Sequence, residues 1–346
     1  MGDVVTTVGI DLGKTTFHLI GFDGRGAIVL RQKVSRAQLE RRFAALPPCL
    51  VGMEACCGAH HVGRRLAALG HEVRLIPARY VKPFVKSNKN DFRDAEAIAE
   101  AVLRPTMRFV PLKSREQLDL QALHRVRQRL VGERTAVINQ IRGFLLEHGI
   151  AVRAGPPALR QALPEILADR SGALSPGMAQ LLAGLAEDWR RLDERIGEVT
   201  ASIEEVAWRD EGCRRLMAVP GIGPIVSSAM VAAIGDGAAF AKARDFGAWL
   251  GLVPKQVSTG DRTLLLGISK RGNRYLRTMF IQGARSVLLR RVTWANHSFG
   301  RWLEAAAPRL HRNVLAVALA HKLARIAWSV LTREGGYTRT PDARPA

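Results

Sequence analysis

Acidic residues are what this chain is short of. Its 346 residues hold 31 Asp+Glu against 52 Lys+Arg, a formal net charge of +21. The shortage is uneven. From Cys213 onward there are 21 Lys+Arg and 6 Asp+Glu, so most of the excess positive charge lies in the C-terminal part. An excess so lopsided favours a polyanionic partner, nucleic acid, over a merely solvated surface. Cysteine is also scarce. The four (Cys49, Cys56, Cys57, Cys213) form no C-x-x-C pair, and adjacent Cys56 and Cys57 make a poor disulfide framework, which points to a reduced, cytoplasmic compartment. The nine histidines show no zinc-ligand spacing. Met1 to Val8 lacks the basic start and apolar run of a signal peptide. The uncharged stretch from Leu216 to Gly235 is long enough for a bilayer, but Pro220-Gly221-Ile222-Gly223-Pro224 breaks it, so two short helices around a turn are expected and no membrane association.

What is present is globular: 47% of residues are hydrophobic, enough for two or three domains with real cores. Val4 to Ile10 is an apolar, β-branched run ending in Asp11 and reads as a central strand. Lys14 to Asp23 and Ala27 to Val34 read as strands joined by the hairpin turn Asp23-Gly24-Arg25-Gly26. A helix follows from Arg36 to Leu46, then a short buried strand from Cys49 to Met53 that ends in Glu54. His60 to Leu69 reads as a helix closed by Gly70, and Glu72 to Ile76 as another strand. A basic loop with Lys82, Lys86 and Lys89 leads to a helix starting at Asn90-Asp91. Asp91 and Asp94 are three apart on that helix, so both carboxylates leave one face. A capping box accounts for that pair taken alone; so does a divalent cation between two like charges. The order of strands and helices is that of a ribonuclease-H-like domain, which takes acids from the first strand (Asp11), the end of the fourth (Glu54) and the last helix (Asp91, Asp94). Four acids at four matching places are harder to dismiss than any one of them.

Beyond this α/β part the chain reads as all-α. Glu116 to His148 is helical, with Leu123, Val126, Leu130, Val137, Ile141 and Phe144 on an apolar stripe. After Gly155-Pro156-Pro157 a cleaner heptad runs Met178, Leu182, Leu185, Trp189, Leu192, Ile196, Val199, Ile203, Val206. The charged flanks favour an antiparallel coiled-coil arm or a dimer seam over a hairpin buried in its own domain. Arg125, Arg127, Arg129, Arg134 and Arg142 on the first helix are placed to follow a phosphate backbone. Leu216 to Asp236 reads as helix-hairpin-helix, where amides at Gly221 and Gly223 are candidates to hold phosphate; a plain turn between core helices fits about as well. Ser258 is expected in a short polar loop before Gly260. Lys270, Arg271, Arg274 and Arg277 are expected to form a basic ridge along a helix. Val287 to Leu303 and Asn313 to Leu331 read as supporting helices. The expected domains are 1–113, 114–210 (coiled-coil helices), 211–335 and a tail, 336–346.

Several short motifs, in this order, resemble one known group. They are Val8-Gly9-Ile10-Asp11, Met53-Glu54-Ala55, Asn88-Lys89-Asn90-Asp91-Phe92-Arg93-Asp94-Ala95, Pro220-Gly221-Ile222-Gly223, Gly251-Leu252-Val253-Pro254 and Gly267-Ile268-Ser269-Lys270-Arg271-Gly272-Asn273. The group is the "one-ten" family of insertion-sequence transposases, bridge-RNA-guided recombinases with an acidic tetrad and a serine. The asparagine-rich approach to Asp91 resembles one subgroup of it. The resemblance implies an N-terminal domain of Holliday-junction-resolvase type whose Asp-Glu-Asp-Asp tetrad falls on Asp11, Glu54, Asp91 and Asp94, and a C-terminal domain whose nucleophilic serine falls on Ser258. Family members often carry two serines before the glycine; here the second is Thr259, whose hydroxyl is the alternative attacker. The tetrad would hold Mg²⁺, as two ions roughly 4 Å apart. Ser258 would attack DNA phosphorus and keep the bond energy as a phosphoserine ester. A noncoding guide RNA would pair with donor and target DNA. The tetrad and serine domains would have to meet, within one chain or across a homo-oligomer (dimer or tetramer). A bacterial cytoplasm, at the nucleoid, is the implied location.

Two rivals stay open: a metal-dependent junction nuclease with no covalent step, and a non-catalytic nucleic-acid scaffold. A tyrosine recombinase fits poorly, because there are three tyrosines and Tyr275 lacks the spaced Arg/His set.

Overall fold

The structure, a computed structural model, describes residues 4–86, 90–169 and 172–337. These divide into two compact units, Met1–Arg115 and Glu116–Ala346.

The first unit is built on a five-stranded sheet. Its elements are β1 (Thr7–Leu12), β2 (Thr16–Phe22), β3 (Ile28–Ser35), α1 (Arg36–Ala44), β4 (Leu50–Glu54), α2 (Ala59–Ala68), β5 (Glu72–Ile76), α3 (Ala78–Val81) and α4 (Asp91–Val102). The spatial order is β3-β2-β1-β4-β5. β1, β2 and β3 run antiparallel, whereas β4 pairs parallel with β1, and β5 parallel with β4. The element order matches the expectation, with one addition. The expected loop before α4 contains α3 and a 3-10 turn, Lys82–Phe84.

Alternation along the strands sorts residues to two faces. Val8, Ile10, Phe17, Leu19, Val51 and Met53 point to one, under Leu39 and Phe43 of α1 and Val62 and Leu66 of α2. The other face receives α4: Ala95 and Ala99 meet Ile20 and Phe22, while Ala97, Ile98 and Ala101 pack with Ile76 and Val81. Two glycines on that face let the helix lie close. A Cβ on Gly9 would press into the Ala95 carbonyl oxygen and stand 2.5 Å from the Ala99 amide nitrogen; one on Gly52 would come within 2.9 Å of the Val102 Cβ.

The second unit opens with α5 (Arg115–Glu147), α6 (Pro156–Ala168) and α7 (Pro176–Arg209). Arg127 donates to Thr200 Oγ1 (2.8 Å) and Arg134 to Asp193 (3.0 Å), so α5 and α7 run antiparallel. The α7 stripe is as expected at Leu182, Trp189, Ile196 and Ile203, all buried, while Val206 is exposed. On α5, Leu130 and Ile141 of the expected stripe are buried, and Leu123, Val137 and Phe144 are half-buried against apolar cores. The buried line of α5 is Leu120, His124, Leu130, Ile138, Ile141 and Leu145, and Val126 faces solvent. The unanticipated α6 adds Leu159 and Leu163, which join Ile138, Ile141, Leu145, Leu182 and Trp189 in a core of their own. Arg142 donates to the carbonyls of Val152, Arg153 and Gly155, and Arg129 pairs with Glu133. Four of the five arginines expected along phosphate are therefore engaged within the protein.

The rest of the unit comprises α8 (Glu211–Met217), α9 (Pro224–Ile234), α10 (Ala243–Trp249), β6 (Pro254–Thr259), β7 (Arg262–Ile268), α11 (Arg274–Leu289), α12 (Gly300–Ala306) and α13 (Arg312–Thr332). The helix expected over 287–303 is broken: a 3-10 segment, Arg291–Asn296, separates α11 from α12. Among the described residues one helix, α13, is long and apolar enough to cross a membrane. Here Leu319, Leu323 and Trp328 bury it in the C-terminal core with Phe246, Phe280 and Leu303.

Candidate active site

Asp11 and Glu54 lie at the C-terminal ends of neighbouring parallel strands, where α/β sheets commonly open their binding crevices. Both are on the face that receives α4. The N-terminus of α4 is set by Asn90, whose side chain accepts from the Phe92 amide at 3.0 Å. Asp91 is thus not the capping residue, and its carboxylate instead faces His18, 3.6 Å from Nδ1. With Gly9 and Gly52 holding α4 against the sheet, Asp91 and Asp94 reach the same cleft, of about 550 Å³, lined also by Asp11, Glu54, Thr16, His18 and Lys82.

All four expected acids line this one cleft, and among the described residues the ligand atoms that come within 4.8 Å of one another are those of Asp11, Asp91 and His18. Asp11 and Glu54 are half-buried, as is Asp94, and Asp91 is exposed. Burial, then the charges of Asp91 and Asp94, push the Asp11 carboxyl above its ordinary value; His18 pulls it back and Glu54 adds a smaller push. Burial and then Asp94 likewise raise Glu54. Like charges gathered at the mouth of a cleft are a strained arrangement that a divalent cation relieves, and carboxylate oxygens are the donors that Mg²⁺ or Mn²⁺ takes. The donor set fits such an ion. Asp11, His18 and Asp91 each offer a ligand atom, all within 4.8 Å of one another.

His18 was missed in the sequence. It lies on β2 directly opposite Asp11, and an antiparallel pair of that kind puts both side chains on one face. Only the strand register reveals it. In the sequence Lys82 reads as part of a basic loop; in the structure it is a wall of the cleft.

The basic residues divide. Lys86 pairs with Glu96 (3.2 Å) and Glu100 (2.6 Å) of α4, so its charge is already answered within its own unit. Lys89 lies outside the described residues. Gly221 is left-handed (φ +79°) and packed so that a Cβ would stand 2.6 Å from the Gly283 carbonyl oxygen, which accounts for glycine there through helix packing. Gly223 is exposed at the start of α9. Lys270, Arg271 and Arg274 are exposed, but Lys270 and Arg271 precede the helix, in a loop held to the end of α10 by the Lys270 amide donating to the Gly251 carbonyl. Arg277 departs from the expected ridge. It is buried, and its guanidinium donates to the Leu250 carbonyl (2.8 Å) and the Arg271 carbonyl (3.1 Å). A helical spacing of three places it beside Arg274 but on the inward edge, where it ties the loop down.

Ser258 is on β6, not in a loop. Its hydroxyl accepts from Gln256 Nε2 at 2.8 Å and lies 3.3 Å from Thr263 Oγ1, across the hairpin. Thr259 pairs with Arg262 and so faces the other side. Both strands are exposed almost throughout. Tyr275 is unsuited to attack: its hydroxyl is 3.0 Å from His124 Nδ1, whose other nitrogen is 3.0 Å from Ser228 Oγ. Burial raises the Tyr275 phenol and lowers His124 to about 4, so both stay neutral at pH 7.

Residues 8–150 match a family model described as "Transposase", of the DEDD type, and residues 213–299 match "Transposase IS116/IS110/IS902 family". The chain is similar to a "Probable family 20 transposase" of Pseudomonas aeruginosa, 47% identical over 96% of this chain and 98% of that protein. It is 44% identical to the transposase for insertion sequence element IS1328 of Yersinia enterocolitica, over 95% of this chain and 97% of the relative. The transposase for IS1111A of Coxiella burnetii is 43% identical over 96% of this chain and 91% of its own length.

Proposed function

Because the chain belongs to the IS110/IS116/IS902 family of transposases and therefore acts on DNA, we propose that it moves an insertion sequence by cleaving and rejoining DNA through an ester on Ser258, under the direction of a noncoding RNA. The observation that carries the reading is the meeting of Asp11, Glu54, Asp91 and Asp94 in one cleft. These four residues, on a ribonuclease-H-like domain, would hold Mg²⁺. Bound there, a divalent cation neutralises phosphate charge and helps an attacking or leaving oxygen carry its negative charge.

The chain's own residues do the rest. The sheet and α4 fix the carboxylates, so their geometry needs no reorganisation during reaction. The Ser258 oxygen attacks phosphorus; the phosphorus–Oγ bond forms as the bond to one DNA oxygen breaks, and the serine proton ends on that oxygen. In the reverse sense a hydroxyl of a new strand attacks the phosphoserine ester and returns the proton to Ser258. Gln256, donating to Ser258 Oγ, orients the hydroxyl. Exposed Lys270, Arg271 and Arg274 follow the nucleic-acid backbone, and base pairing by the RNA supplies sequence choice. Two or four copies would assemble on the paired DNA, at the bacterial nucleoid.

Recombination in vitro between donor and target DNA, with the flanking noncoding RNA supplied or withheld, tests this reading. Joint products are expected with RNA and Mg²⁺ together. Equal product without RNA would remove the guide; equal product in EDTA would remove the metal.

A further inference from the structure

The acids of the cleft are not its whole donor set. His18 is 8% exposed, on the central face of the sheet, opposite Asp11 in register. Its Nδ1 stands 3.6 Å from Asp91 Oδ2, beyond hydrogen-bond range, and among the described residues His18 forms no hydrogen bond. A buried imidazole is ordinarily satisfied, and Cys49–His71 in this same unit shows the ordinary case: His71 Nδ1 meets Cys49 at 3.3 Å and Nε2 lies 3.1 Å from the Phe43 carbonyl. His18 instead turns Nδ1 toward the Asp91 carboxylate at ion-pair distance, with an Asp11 oxygen also within 4.8 Å of a ring nitrogen. The ring is held rather than loose, since Phe92 packs edge-on at 4.7 Å, and Arg31 lies over the Phe92 ring at 4.4 Å.

We propose that His18 is a nitrogen ligand of the cleft's divalent cation, beside Asp11 and Asp91. The inference rests on the metal reading above and adds to it. Ligand atoms about 2.1 Å from a common ion are about 3 Å apart when adjacent and about 4.2 Å when opposite. The 3.6 Å between His18 and Asp91 lies inside that range, and all three ligand atoms lie within 4.8 Å of one another, little beyond it. An imidazole changes which ion is preferred. All-oxygen sites suit Mg²⁺, whereas one nitrogen among carboxylates favours ions later in the transition series, beginning with Mn²⁺. A nitrogen ligand thereby favours Mn²⁺ over Mg²⁺ at this site, and the later transition ions over both.

The test is pulsed electron paramagnetic resonance of Mn²⁺ added to the full-length chain without nucleic acid. Expected is bound Mn²⁺ with hyperfine coupling to one directly ligated ¹⁴N, which becomes ¹⁵N coupling when the protein is made with ¹⁵N-histidine. That measurement needs no substitution, so folding of a variant does not enter. In His18→Gln the coupling should vanish, with Mn²⁺ affinity falling at least tenfold and Mg²⁺ affinity changing by less than threefold. Mn²⁺ bound in an Asp11-dependent manner with no nitrogen coupling would overturn the role of His18 and leave the acidic site standing. No Asp11-dependent binding of Mn²⁺ or Mg²⁺ would overturn both.

Discussion

Asp11 and Ser258 both stand on β-strands, but the strands have opposite surroundings. β1 is the middle strand of five, with α1 and α2 on one side and α4 pressed on the other. β6 has one partner, and its hairpin exposes Val257, Leu264, Leu265 and Leu266. A two-stranded hairpin is marginal by itself in water. The acids thus sit on a sheet and helix packed from both sides, while the serine is on an element that its own fold leaves uncovered. For a reaction on large substrates the division is sensible. Under the proposed function the carboxylates would be in place before a cation arrives, and a hydroxyl held by Gln256 on an open hairpin would be reachable by a large substrate.

The largest effect expected from breaking that contrast is chemical. Asp11→Asn should lower DNA cleavage by at least about 10²–10³-fold, in the range for loss of a key electrostatic group, measured by strand cleavage at saturating Mg²⁺. The same variant should melt higher than the parent when divalent cation is absent, because a repelling charge has gone. Gly9→Ala comes next. Its methyl meets the α4 backbone, and unfolding by denaturant should show a loss near about 3 kcal/mol, at the upper end for overpacking. Leu265→Ala in the exposed hairpin should cost less than about 0.5 kcal/mol in the same measurement.

The pair Arg277 and Arg274 sharpens the comparison within the second unit. Arg277→Ala leaves the buried Leu250 carbonyl and the part-buried Arg271 carbonyl without this donor and should cost about 2 kcal/mol, by denaturant unfolding. Arg274→Ala should leave stability unchanged, weaken DNA binding, and reduce the slope of log affinity against log salt by about 1.

pH gives the mildest probe. Asp11 and Glu54 are raised on folding, so the native state binds more protons than the unfolded chain above the ordinary carboxylate range. Stability that is full below the unfolded values should decline as pH rises through the raised folded ones. Thermal melts in EDTA from about pH 4 upward should show that decline, and added Mg²⁺ or Mn²⁺ should flatten it.

Much of this was readable from residue order. Strand alternation, β-branched runs and Gly/Asp turns place β1 to β5 within a few residues, and the acids at strand ends and on the last helix follow from that. What failed to show depends on pairing across the chain. His18 looks like a lone histidine in an apolar strand until register sets it opposite Asp11. On α5, Arg127 and Arg134 read as phosphate followers and His124 goes unread, because their partners Thr200, Asp193 and Ser228 are far away in sequence. Arg277 has the spacing of a surface ridge, but spacing gives a helix face and not what covers it. The break at Arg290 has no proline or glycine to announce it; the later Gly300, tight against the Trp294 carbonyl, is its visible trace.

The shared role of the acidic cleft and Ser258 is tested most directly by trapping the covalent intermediate. Protein incubated with end-labelled DNA, guide RNA and Mg²⁺, then run on a denaturing gel, should give a protein–DNA adduct whose peptide mass maps to Ser258. Ser258→Ala and Asp11→Asn should each abolish it. An adduct that persists in Ser258→Ala, or that forms undiminished in Asp11→Asn, would contradict the account.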